Sequence, residues 1–419
     1  MSKTNRIILP IVTIQFCAEF CENLFKSLTT TFIAFAALQH LGLKNSQIIS
    51  LINFVIVLPI LLLSSYSGKI SDSYNKVKVL RSISIGQVLI ALIAMIAIYL
   101  HIFPLLVIAM IAISVQLTFL HPIKYSILPS YLGKEHIGIA TSYITFSAFI
   151  SILAGQVTGS YLAAINQPTI IIYLSLGCGI ISSIASLTLL PVTTSKCTAI
   201  SYSKNPIIDS YRLYKQVAQN KLIRLNLHIL SWFWAYLALN TSLLALFVAN
   251  YIGASNKVLS LILGVDAAGI ALGAIICARL NNGSLKPKTI LYSGLVMTII
   301  NFYFLTQYHD SHIRHTIIIN SFITTSIGKL ILVLFLLKSI AAGFYAITCY
   351  TELQVLSPDH LRSRIMATVT VMSALYILIA SLICTIVQSK LTSWGVLMIV
   401  TIIHLVFVLI YQRKIKQFA

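Results

Sequence analysis

The sequence predicts an all-α membrane protein with twelve transmembrane helices in two six-helix halves. Three observations carry that expectation. Of 419 residues, 58% are hydrophobic and 9% charged, whereas a soluble domain carries about 25% charged residues. The apolar residues gather in twelve runs, and a helix needs about 20 residues to cross a bilayer. A polar stretch at the midpoint leaves six runs on either side of it. Lipid is the solvent in which so apolar a chain can keep apolar residues on its outside.

Taken in order, the first-half runs are 7–38, 47–67, 82–101, 104–126, 138–165 and 168–191. The first follows Lys3 and Arg6 and resembles a signal peptide at its start. Glu19, Glu22 and Lys26 soon interrupt it and no Ala-x-Ala site follows, so it reads as a span. Pro104, Pro168 and Pro191 punctuate run ends. Ser151, Gly155 and Gly159 give the fifth run a small-residue packing face. The stretch 192–222 then reads as a central linker between a bundle over 1–191 and a bundle over 223–419. It holds a helix-like polar segment from Asp209 to Lys221.

The second-half runs are 223–250, 258–279, 289–307, 329–354, 365–388 and 394–412. The seventh carries Asn240, Thr241 and Ser242. In the eighth, Asp266 precedes Gly269 and Gly273, glycines that suit close helix packing. Asn281-Asn282-Gly283 marks the next turn. The gap 308–328 contains His309, His312 and His315 and reads as a solvated loop; no convincing metal-ligand spacing is present. Lys338 and Glu352 of the tenth run are 14 residues apart, about 21 Å along a helix and too far to pair. His404 of the twelfth reads as a core group.

The net charge of +20 does not point to nucleic acid, because no basic patch with interleaved aromatics exists. Lys and Arg fall instead in alternate gaps, 22 on one side of the predicted membrane against 5 on the other. The positive-inside rule puts both termini and the linker in the cytoplasm. The seven cysteines are odd in number and mostly within apolar runs, as small packing residues would be. No phosphate-binding loop, Gly-x-Ser-x-Gly or cluster of metal ligands is present. Neither catalysis nor a cofactor is expected, nor a nucleic-acid partner.

Two motifs carry function. The first joins the second and third runs: Gly68, Asp72, Lys76 and Arg81 lie in Gly68-Lys69-Ile70-Ser71-Asp72-Ser73-Tyr74-Asn75-Lys76-Val77-Lys78 and just beyond it. Gly permits close helix approach, and an Asp there can engage basic groups and the N-terminus of a facing helix. The segment resembles the loop motif of the major facilitator superfamily, with Ser73 for a basic residue and Asn75 for a glycine. That resemblance implies a latch, broken and remade as the halves rock. The second motif is a polar stripe in the first run: Gln15, Glu19, Glu22, Asn23, Lys26 and Thr30 recur every three or four residues, where Glu22 and Lys26 can pair. Charges at membrane depth cost at least about 2.5–3.5 kcal/mol each and are functional candidates by default.

Glu22-Asn23-Leu24-Phe25-Lys26 resembles the span-one signature of the lysophospholipid transporter family. His121-Pro122-Ile123-Lys124-Tyr125-Ser126-Ile127-Leu128-Pro129 is similar to its motif after span four. Gly343-Phe344-Tyr345, Tyr350, Gln354 and His360-Leu361-Arg362-Ser363-Arg364-Ile365 resemble its second half more weakly. Glu22, Cys21, His121, Thr348 and Glu352 depart from the family pattern. The resemblance implies uptake of lysophospholipids across a bacterial inner membrane for reacylation, with membrane lipids around the protein. Glu19, Glu22, Asn23, Lys26, Lys124, Tyr125, Lys338 and Glu352 are then the substrate-site candidates and Asp266 a coupling-ion candidate. Lys124 has a second reading, as a residue snorkelling to the surface. A proton-coupled exporter of amphipathic drugs is the alternative function. A scaffold partnering a lipid acyltransferase is a third.

Overall fold

A computed structural model describes residues 3–35, 45–100, 102–164, 167–190, 205–254, 256–280, 286, 288–307, 318–388 and 390–418. The three histidines of 308–328, Cys197 and the side chain of Thr30 lie outside the described residues.

Among the described residues, each expected run is helical over most of its length. The first half holds α1 (Lys3–Phe35), α2 (Asn45–Ser73), α3 (Lys76–Tyr99), α4 (Phe103–Ser126), the single turn α5 (Leu128–Tyr131), α6 (Lys134–Ala164) and α7 (Pro168–Leu187). Then come α8 (Pro206–Val217), α9 (Lys221–Phe247), α10 (Asn256–Leu280), α11 (Lys288–Gln307), the short α12 (Ile319–Thr324), α13 (Ser326–Leu356), α14 (Arg362–Gln388) and α15 (Ser393–Phe418). Among the described residues, eleven of these are long and apolar enough to cross a membrane. The 29-residue α2 is a further long helix, at the place of the second expected run. Local chemistry sets the boundaries: the Asn75 side chain accepts from the amides of Val77 and Lys78 to cap α3, and prolines open α4 and α7. α9 ends in a wide turn over Val248–Ile252, closed by Gly253 at φ 66°.

Two differences from the sequence reading stand out. The gap 308–328 is not wholly a loop: it contains α12, held because Phe322 buries its ring, 2% exposed. The linker helix begins at Pro206, not Asp209, since proline suits a first helical turn.

The helices gather in two compact units. One comprises 1–134, 147–217 and 357–371, the other 135–146, 218–356 and 372–419. In the first unit α1 packs on α7 and α4, α3 on α7 and α4, and α2 on α4 and α8. Leu24, Phe25, Ala94, Ala109, Ile113 and Ile171 form its core. In the second, α13 runs against α10, α11 and α9, while α15 packs on α11 and α9. Outward positions stay apolar, as at Ile180, Ile184 and Leu187 on α7 and Leu382, Ile383 and Ile386 on α14, which lipid tolerates and water would not.

Candidate functional site

In the first unit the polar stripe of α1 turns into the protein. Gln15, Glu19 and Asn23 are buried, while Glu22 and Lys26 are half-buried. The ion pair is not the expected one. Lys124 of α4 donates from Nζ to Glu19 Oε1 at 2.8 Å, both side chains being buried. Among the described residues no ion pair joins Glu22 to Lys26. The last turn of α4 instead brings a cation to Glu19 from another helix. Lys124 therefore does not snorkel; it is 4% exposed. Ser151 Oγ lies 3.4 Å from Glu19 Oε2, and His121 Nε2 is 3.7 Å from Oε1. Asn23 donates to the Glu19 carbonyl at 2.8 Å and accepts from Gln156 at 3.3 Å. The Lys124 ammonium also stands 5.4 Å from the Tyr125 ring centre. Gly155 makes this crossing possible: a Cβ there would meet the Phe20 carbonyl oxygen at 2.5 Å.

The loop motif is built as a helix cap. Asp72 accepts from the backbone amides of Ser363 at 3.2 Å and Arg364 at 3.3 Å, at the start of α14. The Arg364 guanidinium is 3.6 Å from the same carboxylate. Unsatisfied amides and the positive end of the helix dipole favour an anion there. Burial pushes the Asp72 carboxyl up, opposed by its bonds to Ser363 and by Lys76 and Arg364. Gly68 lets α2 approach, since a Cβ would meet Ala367 Cβ at 2.9 Å and Arg364 Cα at 3.0 Å. Lys76 donates to the Ser126 carbonyl at 3.1 Å, and Arg81 to those of Ser186 and Leu189 at 3.2 and 3.4 Å. A contact that the sequence did not reveal lies beside this motif. Asp209 of α8 is buried against α2, where Lys69 and Ser65 both donate to its Oδ2.

In the second unit, Asp266 and Lys338 line one cavity with Tyr236, Asn240, Thr241 and Asn301. Glycines bring the two helices together. A Cβ on Gly273 would meet the Ile340 carbonyl oxygen at 2.2 Å, and one on Gly343 that of Ile270 at 2.3 Å. This crossing of α10 and α13 places the Ser339 hydroxyl as a donor to Asp266 Oδ1. Lys338 Nζ sits 4.5 Å over the Phe335 ring, and its charge attracts that of Asp266. Asn301 donates to Tyr236 Oη at 2.7 Å and to Asn240 Oδ1 at 3.0 Å. The rest of the lining is largely apolar, with Leu237, Leu244, Phe304, Leu305 and Leu397. Glu352 does not line this cavity; its charge lies near Cys349 and Tyr411. Sequence reasoning missed Asn301 and Tyr236. A lone amide at the centre of the ninth run was the available signal for the first. His404 is a core group, stacked 4.1 Å from Tyr236 and accepting from Trp232 at 3.3 Å.

Membrane-crossing helices, buried intramembrane charges and an amphipathic internal cavity define a polytopic transport protein. The chain belongs to the Major Facilitator Superfamily, whose family profile matches residues 15–381. It is therefore a transporter of that superfamily. No curated protein sequence matches the chain. It is similar in structure to the human organic anion transporter MFSD10 (TETRAN), with TM-score 0.76 and 12% identity over 98% of this chain and 100% of that one. A bacterial homologue of the iron transporter ferroportin, in an outward-facing state, gives TM-score 0.67 at 13% identity over 96% and 99%. The E. coli fucose:proton symporter FucP gives 0.68 at 13% over 96% and 98%. At such identities the likeness is one of fold.

Proposed function

We propose that the chain carries lysophospholipids across the cytoplasmic membrane to its inner face by alternating access, with both termini in the cytoplasm. The observation that carries this reading is the second-unit cavity, in which a cation and a carboxylate face apolar walls. A lysolipid has one acyl chain and a phosphate headgroup, and needs both kinds of surface. The cavity holds about 40 Å³ and has to widen in alternating access for Lys338 to meet the phosphate and the apolar lining to receive the chain. Asp266 lies within the same cavity and meets an ethanolamine ammonium or carries a coupling ion. The motif around Glu22, Asn23 and Lys26, with Lys124 and Tyr125, supports the same substrate class. Lys124 is bonded to Glu19, so phosphate would have to compete with that carboxylate for it.

The test is uptake of labelled lysophosphatidylethanolamine into proteoliposomes against a panel of lysolipids and amphipathic drugs. Lysolipid uptake by the native chain, lost in Lys338→Gln and in Glu22→Ala, is the expected result. Normal uptake with Glu22 and Lys26 both replaced would remove their assigned roles. Transport of drugs alone would replace the reading with its rival, a proton-coupled exporter. That rival is favoured by one feature, a half-buried carboxylate at Asp266 inside the cavity. Resistance abolished by a protonophore and by Asp266→Asn would establish it.

A further inference from the structure

A second cavity of the second unit lies at the end of the bundle where α9 begins and α15 finishes, and it shares no lining residue with the cavity above. Lys221 and Arg224 contribute from the first turn of α9 and Lys414 from the last turns of α15. None of its nine lining residues is acidic. Seven residues on from Lys221, about 10 Å deeper along the helix, His228 Nδ1 meets Tyr376 Oη at 3.0 Å. At the matching depth on α15, seven residues before Lys414, Phe407 lies stacked 4.6 Å from Trp232. The cavity thus runs from three exposed cations, through a hydrogen-bonded imidazole and phenol, to a stacked aromatic wall. Its α15 rim continues into outward-facing apolar side chains: Val406, Leu409 and Ile410 are 47%, 41% and 45% exposed.

We infer that this cavity binds an anionic phospholipid of the surrounding leaflet, with its phosphate among Lys221, Arg224 and Lys414 and its acyl chain along Phe407 and Ile410. A lining that holds three cations and no carboxylate favours a headgroup whose phosphate is not neutralised by its own amine. The graded polarity matches the order of a lipid from phosphate to ester to chain. A soluble phosphate would use only the rim and leave the aromatic wall idle. Basic pockets between helix ends at an anionic leaflet are suited to such headgroups. The site does not depend on what the transporter carries.

The full chain, purified in a neutral detergent, is followed by thermal unfolding while phosphatidylglycerol, phosphatidylcholine of the same acyl chains or glycerol 3-phosphate is added. Phosphatidylglycerol should raise the midpoint saturably and the other two should not. In Lys221→Gln/Arg224→Gln/Lys414→Gln the half-saturating phosphatidylglycerol concentration should rise roughly a hundredfold, at about one contribution of the usual size per cation. The exposed pair Lys257→Gln/Lys390→Gln should leave it unchanged. If the triple variant does not fold, Arg224→Gln alone should raise it about fivefold. Equal stabilisation by phosphatidylcholine, an equal effect of glycerol phosphate, or an equal loss in the exposed pair would each overturn the site.

Discussion

Glu19 and Lys124 are 5% and 4% exposed, so neither charge can recruit water without the helices parting. A buried ion pair adds little over an apolar pair of the same size, but breaking one leaves a bare charge behind. Glu19→Gln should therefore destabilise the protein by about 3–5 kcal/mol, and Glu19→Gln/Lys124→Met should recover much of that loss. Thermal unfolding of the single and double variants in detergent checks it. Equal midpoints for native chain and Glu19→Gln would mean that Lys124 reaches a substitute partner. Asp209 invites the same reasoning. Its carboxylate takes both Lys69 and Ser65, so Lys69→Met should release α8. A protease site placed in the 205–220 region should then be cut faster than in the native chain, while Lys215→Met, on the same helix, should leave the rate unchanged.

Between elements, the decisive contacts are those a hydropathy plot cannot contain. At the crossing of α10 and α13 there is no room for a methyl group on Gly273 or Gly343, because helix backbone already lies 2.2–2.3 Å from where it would sit. Gly273→Leu should separate the helices, dislodge Asp266 from Ser339 and abolish transport. Gly177→Ala of α7, with nothing within 4 Å of an added Cβ, should keep transport and gain up to about 1 kcal/mol from helix propensity. Transport assays on the two purified variants decide it, and retained activity in Gly273→Leu would sink the argument. The twelve spans were legible because membrane helices must be about 20 residues long and apolar. The packing glycines Gly269 and Gly273 were legible from spacing, and Asp72 from its position at a helix end facing another. The partner of Glu19 was not: spacing along α1 pairs Glu22 with Lys26 and offers Glu19 no cation, and only the approach of α4 supplies Lys124. The cavity residues Tyr236 and Asn301 were illegible for the same reason, since they converge from α9 and α11. In α12 the solvated-loop reading failed because composition across 308–328 is mixed and one buried ring, Phe322, decides the local structure.

For the whole chain, orientation follows from charge rather than from packing. Lys and Arg number 22 in one set of gaps and 5 in the other, and translocating a basic loop against the membrane potential is unfavourable. The loop carrying Tyr74 should therefore lie in the cytoplasm and that carrying Lys390 outside. Tyr74 is 61% exposed and Lys390 is exposed as well, so both positions admit a reagent. In a background where all seven native cysteines are serine, Lys390→Cys should react with a membrane-impermeant maleimide in intact spheroplasts. Tyr74→Cys should react only after permeabilisation. The opposite pattern would invert the chain, placing the Asp72 cap on the outer face and the Lys221–Arg224–Lys414 cavity at the outer leaflet. The headgroups available to that cavity would then be those of the outer leaflet, so the labelling result also fixes which leaflet's lipids the phosphatidylglycerol experiment represents.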